Sequence, residues 1–469
     1  MKKILLFPAL VFIVAIFFVQ SMQSCAVIIP PGGGPKDSLP PRLVSASPKD
    51  SALHFKGNKI VLTFDEFVDV KEAQQNLIMS PNPLHLPSVD YRLREVTVKL
   101  KDSLEPNTTY TLNFGNSIKD VNEGNIAKKF TYVFSTGSYL DDGELHGKVI
   151  IAETGKVDST LIVVLQRDLN DTAIVKNRPL YYTKLDSAGN FNFSNLPYGK
   201  FAAYALENSY SKRYDDSTKM FAFLDSAVNV KESTNAVILY AFQEAKRKEK
   251  KSAPAETASQ KKNTKQLPKE IKVKLGIESG NQDLLNPLTV LFSKKYKTID
   301  TSKIILCDTL YKKLDNYSFI PDTLQEKIAI DYHWKENEKL NVIIAKDAVA
   351  DSLGNTLAKN DTLGFVTKKE SEYGSLKLRF NNIDTSKNQL VQIITQDKVV
   401  QSIRVTQREF YMKLFVPGDY ELIELYDRNK NGKWDTGNFK KKLQPEVVKD
   451  LKKKINIKSN WDNEFDVNL

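Results

Sequence analysis

Cysteine is nearly absent from this 469-residue chain, which holds only Cys25 and Cys307. That excludes a disulfide framework and any cysteine-rich zinc module. Histidine is as scarce: His54, His85, His146 and His333 stand far apart, and each reads as a surface or strand-end residue. Twenty glycines and nineteen prolines are too few for a collagen-like or low-complexity chain. Three signatures are missing: a G-x-S-x-G elbow, an H-E-x-x-H pair and a G-x-x-x-x-G-K phosphate loop. Acidic residues are plentiful, and no pair singles itself out as a hydrolytic dyad. What remains is ordinary globular composition, 41% hydrophobic and 27% charged, long enough for three or four domains. No catalytic centre is expected.

Only the start of the chain carries a long apolar run. Lys2 and Lys3 precede a stretch from Ile4 to Val19 broken by Pro8, too short to span a bilayer comfortably but suited to a secretory signal. Ser24-Cys25 then follows. A small residue before a cysteine resembles a bacterial lipobox, which implies cleavage after residue 24 and acylation of Cys25. Each buried CH₂ contributes about 0.8 kcal/mol, so several acyl chains hold a protein durably to a membrane. Residues 25–37, with Pro30-Pro31-Gly32-Gly33-Gly34-Pro35, read as a tether.

The net charge of +11 is local. Residues 244–270 and 440–458 hold most of it as lysine, and the rest of the mature chain is slightly acidic. A nucleic-acid surface would interleave arginine with aromatics. The 244–270 stretch has one arginine and no aromatic residue, so it reads as a disordered solvated linker and nucleic acid is not expected as a partner.

The chain repeats itself. Residues 38–137 hold Ile60-Val61-Leu62-Thr63-Phe64, Thr109-Tyr110-Thr111-Leu112, Asp120…Gly124-Asn125 and Phe130-Thr131-Tyr132-Val133-Phe134. Residues 272–368 give the same order with Leu288-Thr289-Val290-Leu291-Phe292, Leu340-Asn341-Val342-Ile343, Asp351…Gly354-Asn355 and Phe365-Val366-Thr367. Alternation marks strands with one buried face, and Asp…Gly-Asn marks a turn. A second unit also occurs twice, at 141–242 and 372–469. Each has a strand, a turn at Pro197-Tyr198-Gly199 or Pro417-Gly418, and another strand. The predicted organisation is all-β: tandem β-sandwiches in the order A–B–linker–A′–B′.

With Pro40-Pro41, Pro48, Phe64, Leu104 to Tyr110, Asp120, Gly124-Asn125 and Phe134 to Gly137, residues 38–137 resemble the bacterial Ig-like domain of S-layer proteins. With Asp186, Gly189, Phe191, Phe193, Leu196, Pro197, Gly199 and Phe201, residues 141–242 are similar to transthyretin-like, carboxypeptidase-regulatory β-sandwiches. The whole chain resembles Ig-like domain-containing envelope lipoproteins. The resemblance implies an extracytoplasmic scaffold or binding protein, lipid-anchored at the outer membrane or on the periplasmic face. A glycan- or peptide-binding accessory lipoprotein is the alternative, with Tyr181-Tyr182, Trp434 or Trp461 as sugar platforms. No reaction follows from the fold.

Two motifs bear chemistry. Asp427, Asn429, Asn431 and Asp435 take positions 1, 3, 5 and 9 of a calcium loop, with Gly432 at 6 and the Lys433 carbonyl at 7. Position 12 is Asn438, where a bidentate Glu belongs, so the reading is calcium or an Asx-rich hairpin turn over Trp434. The matching residues in the earlier copy, Glu207, Ser209, Ser211 and Asp215, are not expected to bind metal. Second, Asp-(Ser/Thr)-(Ala/Ile/Leu/Val/Met/Thr) triplets begin at Asp37, Asp50, Asp102, Asp158, Asp171, Asp186, Asp216, Asp225, Asp308, Asp322, Asp351 and Asp361. Composition alone gives about one or two. The triplet resembles an O-glycosylation acceptor of Gram-negative envelopes, and turn chemistry is the competing explanation.

Overall fold

A computed structural model describes residues 36–231, 234–245, 270–277, 280–396 and 398–469. The signal segment, Cys25, nearly all of the 25–37 tether and residues 246–269 of the linker lie outside the described residues. The fold is all-β, and among the described residues helix is confined to single turns such as Ala73–Asn76 and Thr172–Lys176. Two compact units divide the chain. One runs to Gly143 and takes in Asn195–Pro197; the other holds Glu144–Ser194 and Tyr198–Leu469.

In the first unit, alternating Lys59–Phe64 buries Ile60, Leu62 and Phe64 and turns Thr63 and Lys59 outward. It sits in a four-stranded sheet ordered Leu43–Ser47, Lys59–Phe64, Glu95–Lys99, Ser88–Arg92. Ile78–Ser80, Thr109–Gly115 and Phe130–Ser135 form the facing three-stranded sheet. Their inner faces enclose one core, including Val96, Val98, Leu112, Phe114, Tyr132 and Phe134. A two-stranded ribbon of Val68–Asp69 and Lys119–Asp120 closes one end.

Residues 270–368 of the second unit repeat that plan. Val273–Leu275, Leu288–Phe292, Lys327–Asp331 and Ser318–Pro321 lie in the same spatial order, and Thr298–Ile299 pairs with Val349–Ala350 as the ribbon. The Asp-turn recurs as well. Asp120 accepts from the N–H groups of Glu123, Gly124 and Asn125 at 2.6, 2.9 and 2.7 Å. Asp351 accepts from Leu353 and Asn355 at 2.9 and 2.8 Å. Gly124 and Gly354 both sit at φ 78°, a left-handed conformation that a side chain resists.

The other two parts of the second unit share a different plan. Near its start, Gly147–Ile151 pairs in parallel with Val237–Ala241, and in the last hundred residues Ser375–Asn381 pairs in parallel with Asp462–Asn468. First and last strands of each copy therefore lie side by side. Gly147 is required at its pairing, because a Cβ there would meet the Val237 carbonyl oxygen at 2.1 Å. The opposing sheets are Tyr181–Lys184, Leu161–Gln166, Gly199–Glu207, Phe221–Phe223, and Lys398–Arg404, Gln389–Thr395, Gly418–Tyr426, Val448–Ile457.

Candidate functional site

The calcium-loop segment leaves the strand Gly418–Tyr426 at Asp427, whose side chain is fully buried. Its Oδ1 accepts from the Asn431 N–H at 3.0 Å and its Oδ2 from the Gly432 N–H at 2.9 Å. Gly432 is at φ 79°, which lets the backbone fold back over the carboxylate. Asn429 and Asn431 accept from the N–H groups of Asn431 and Lys433 and aim their amides at Asp435 Oδ2, at 2.5 and 2.8 Å. Asp427, Asn429, Asn431 and Asp435 are therefore brought together, with Lys433 in the same turn. Asn438 serves a different turn: it exchanges backbone bonds with Leu443 and accepts from the Lys441 N–H at 2.9 Å.

Two residues at this loop had no motif to announce them. Arg404, on the edge strand Lys398–Arg404, donates to Asp427 Oδ2 at 2.8 Å and to the Lys430 carbonyl at 3.2 Å. Buried Glu446 accepts from the Arg428 N–H at 2.7 Å and the Asp435 N–H at 3.2 Å, and its carbonyl takes the Trp434 indole N–H at 2.6 Å. Both reach the loop from places no fixed spacing describes. Burial works to raise the Asp427 carboxyl, but the Gly432 N–H and the Arg404 guanidinium outweigh it and hold it below the usual carboxylate range. Arg404 supplies the positive charge that a calcium ion would bring. Among the described residues no three His, Cys, Asp or Glu side chains are grouped to hold a metal. Calcium at this loop would compete with Arg404 for Asp427 Oδ2. In the earlier copy, Ser209 Oγ lies 3.3 Å from Ser211 Oγ, and Asp215 pairs with Lys219 at 2.8 Å.

The loop continues into a hairpin that grips the first sandwich of the same unit. Phe439 is buried edge-on among Tyr204, Tyr214, Phe221 and Phe223, with ring centroids 5.0 to 6.2 Å away. The Lys442 ammonium lies over Phe439 and Phe223 and pairs with Asp171. Polar bonds frame the aromatic plug. Thr436 donates to the Gln243 carbonyl at 2.5 Å, Glu244 accepts from the Phe439 N–H at 2.7 Å, and Gln444 donates to Asp225 at 2.8 Å. A Cβ on Gly437 would stand 2.7 Å from the Phe242 ring, so the close approach needs glycine.

The proposed sugar platforms are corrected in part. Tyr181 and Tyr182 are 3% and 7% exposed, one on each face of their strand: Tyr181 packs edge-on against Phe201, and the Lys212 ammonium lies 4.5 Å over the Tyr182 ring. Trp434 is half-buried with its indole N–H bonded to Glu446. Trp461 is 64% exposed, with the Lys458 ammonium 5.1 Å from its ring. Cys307 is fully buried, and burial with the Asp308 charge pushes its thiol up, away from nucleophilic thiolate.

Comparison with known proteins bears on the first sandwich. Residues 37–136 match the bacterial Ig-like domain. No curated protein matches the chain. Among solved structures, the Bacillus anthracis TIE protein aligns over 94% of this chain and 75% of its own, with 12% identity and a TM-score of 0.17. Domains 1–6 of the surface layer protein SbsC align over 92% and 55%, with 12% identity and a TM-score of 0.17. An L,D-transpeptidase from Mycobacterium smegmatis aligns over 27% of this chain and 62% of its own, with 12% identity and a TM-score of 0.16. These scores describe loose overlap of β-sheets, not a shared whole-chain arrangement.

Proposed function

We propose that this protein is a non-catalytic scaffold of a bacterial cell envelope, anchored by lipid on Cys25, that offers sheet edges and loops to a protein partner. The observation that carries the reading is the Ig-like domain at 37–136 in a chain whose most motif-like polar residues are spent on closing turns and joining sandwiches. Fold and leader support export, and the Ser24-Cys25 pair supports lipidation. The edge strand Lys398–Arg404 exposes Val399 and Val400 and can accept a partner strand by β-augmentation. Metabolic labelling with palmitate should mark the native protein and not Cys25→Ala; equal labelling, or none, overturns the anchor. Proteinase treatment of whole cells then reports which side of the membrane the domains face, and crosslinking from position 400 should trap a discrete partner.

A glycan-binding accessory role is favoured by one feature, exposed Trp461 beside Lys458. An aromatic face stacks on a sugar ring, and the ammonium can bond its hydroxyls. Trp461→Ala should abolish any glycan-array signal of the full chain; retention of that signal dismisses this surface.

A further inference from the structure

The Asp-Ser/Thr-apolar triplets are too numerous for composition and were left unused by the scaffold reading. The structure adds a property that composition cannot. The middle residues are Ser38, Ser51, Ser103, Ser159, Thr172 and Ser187, then Ser217, Ser226, Thr309, Thr323, Ser352 and Thr362. All twelve are exposed. They are spread over both units and over three of the four sandwiches, with none in residues 372–469.

Many of the triplets share one local shape. The Asp Oδ1 accepts from the N–H of the third residue at Asp37, Asp158, Asp186, Asp216, Asp308 and Asp351, at 2.8 to 2.9 Å. This Asx turn ties the first residue to the third and leaves the middle one at the tip. Turn chemistry explains the Asp. It does not explain the hydroxyl at the tip, because the turn's bond bypasses that residue. Asp69, Asp168, Asp283 and Asp450 make the same turn with Val70, Leu169, Leu284 and Leu451 at the tip.

Asp-Thr pairs without an apolar third residue can make the same turn, as Asp300 and Asp384 do with the Ser302 and Ser386 N–H groups at 3.1 Å, so the turn alone does not mark the triplets. Thr301 and Thr436 are half-buried, and the Thr436 hydroxyl is engaged by the Gln243 carbonyl at the sandwich junction. The full triplets therefore all expose their middle residue, whereas Thr301 and Thr436 are half-buried. A short code, displayed alike at many scattered places, is what one modifying enzyme could read without docking on the fold.

We propose that the middle hydroxyls of these triplets are acceptors for O-linked glycan. The envelope reading above selects the chemistry, and the proposal rests on it. Outside the cytoplasm there is no ATP pool for phosphorylation, whereas sugars linked to polyprenyl diphosphate cross the membrane already activated. In the transfer, the Ser or Thr Oγ bonds to the anomeric carbon as the bond from that carbon to the phosphate oxygen breaks. The electron pair leaves on the diphosphate, and the hydroxyl proton passes to a base of the separate transferase. The added groups are bulky and solubilising, suited to loops.

The test is intact-mass and peptide mapping of the full chain purified from its native envelope. The expected result is one glycan increment per occupied triplet, lost on alkaline β-elimination. Increments should map to the middle residues and be absent from Thr301 and Thr436. Ser226→Ala should remove one increment while melting temperature stays unchanged, and Asp225→Ala, which also releases Gln444, should remove the same increment. A mass equal to the unmodified or merely lipidated chain overturns the proposal. So do increments at Ser and Thr irrespective of the preceding Asp. Phosphate increments at the triplets overturn both the glycan and the extracytoplasmic reading. A bare chain that still labels with palmitate and is cut by external proteinase overturns the glycan alone.

Discussion

Asp427 shows how one side chain can hold a loop that a motif assigns to a metal. It is buried, three donors converge on it, and one of them, Arg404, balances its charge. Replacing Asp427 with Ala strands the Gly432 N–H, leaves the Asn431 N–H only its bond to Asn429, and leaves Arg404 without its carboxylate. The expected cost is about 2–4 kcal/mol, at the lower side of buried-pair losses because Arg404 is partly exposed; equilibrium urea unfolding measures it. Arg404→Ala should free an oxygen of Asp427 for a cation. Millimolar calcium is therefore expected to raise the melting temperature of that variant more than that of the native chain, which differential scanning calorimetry checks. Acid should act at the same places. Burial works to raise the Asp120 and Asp427 carboxyls, but N–H donors, with Arg404 at Asp427, lower both below the ordinary value. A depressed carboxyl adds stability above its unfolded pKa and loses it as pH falls through the folded pKa. Stability should thus decline below about pH 4, and Asp120→Asn should flatten that decline in denaturation midpoints measured from pH 6 to pH 2.

At the scale of elements, the hairpin around Phe439 is a plug for an aromatic socket. Tyr214 stacks on Phe221 at 3.9 Å, and Phe439 meets this pair edge-on. Phe439→Ala should cost about 3–5 kcal/mol, the range for emptying a buried aromatic site. Phe439→Leu should recover part of it. Urea unfolding with tyrosine fluorescence follows both. Gly437→Ala should be as damaging as Phe439→Ala, since its Cβ collides with Phe242 and the Leu443 carbonyl oxygen. The strands themselves were legible in the sequence, because a sheet with one buried face imposes a period of two. Leu288–Phe292 and Lys59–Phe64 announce themselves that way. The socket was not: Tyr204 and Phe439 are 235 positions apart, and neither has a local pattern marking it for the other.

For the whole molecule, the first and last sandwiches of the second unit pack directly on each other. The Val448 N–H bonds to the Ala152 carbonyl at 2.8 Å, and Gly155 leaves no room for a Cβ against Val448 and Asp450. A chain ending at residue 371 would leave Tyr204, Tyr214, Phe221 and Phe223 without their cover. It should bind a hydrophobic dye and self-associate where the full chain does not, as dye fluorescence and sedimentation would show.

By itself the sequence determined the class of fold, the duplication, the Ig-like module and the Asp-Gly-Asn turns, because each is written in neighbouring residues. It also brought Asp427, Asn429, Asn431 and Asp435 to notice, and with them the Asp-Ser/Thr triplets. Only the tertiary structure decided what those groups face. Arg404 and Glu446 complete the loop, Tyr181 and Tyr182 are both covered, and the middle residues of the triplets are exposed. The physical reason is distance along the chain. Periodicity and turn chemistry act over a few residues, whereas charge neutralisation, burial and exposure depend on strands that meet only when the sheets close.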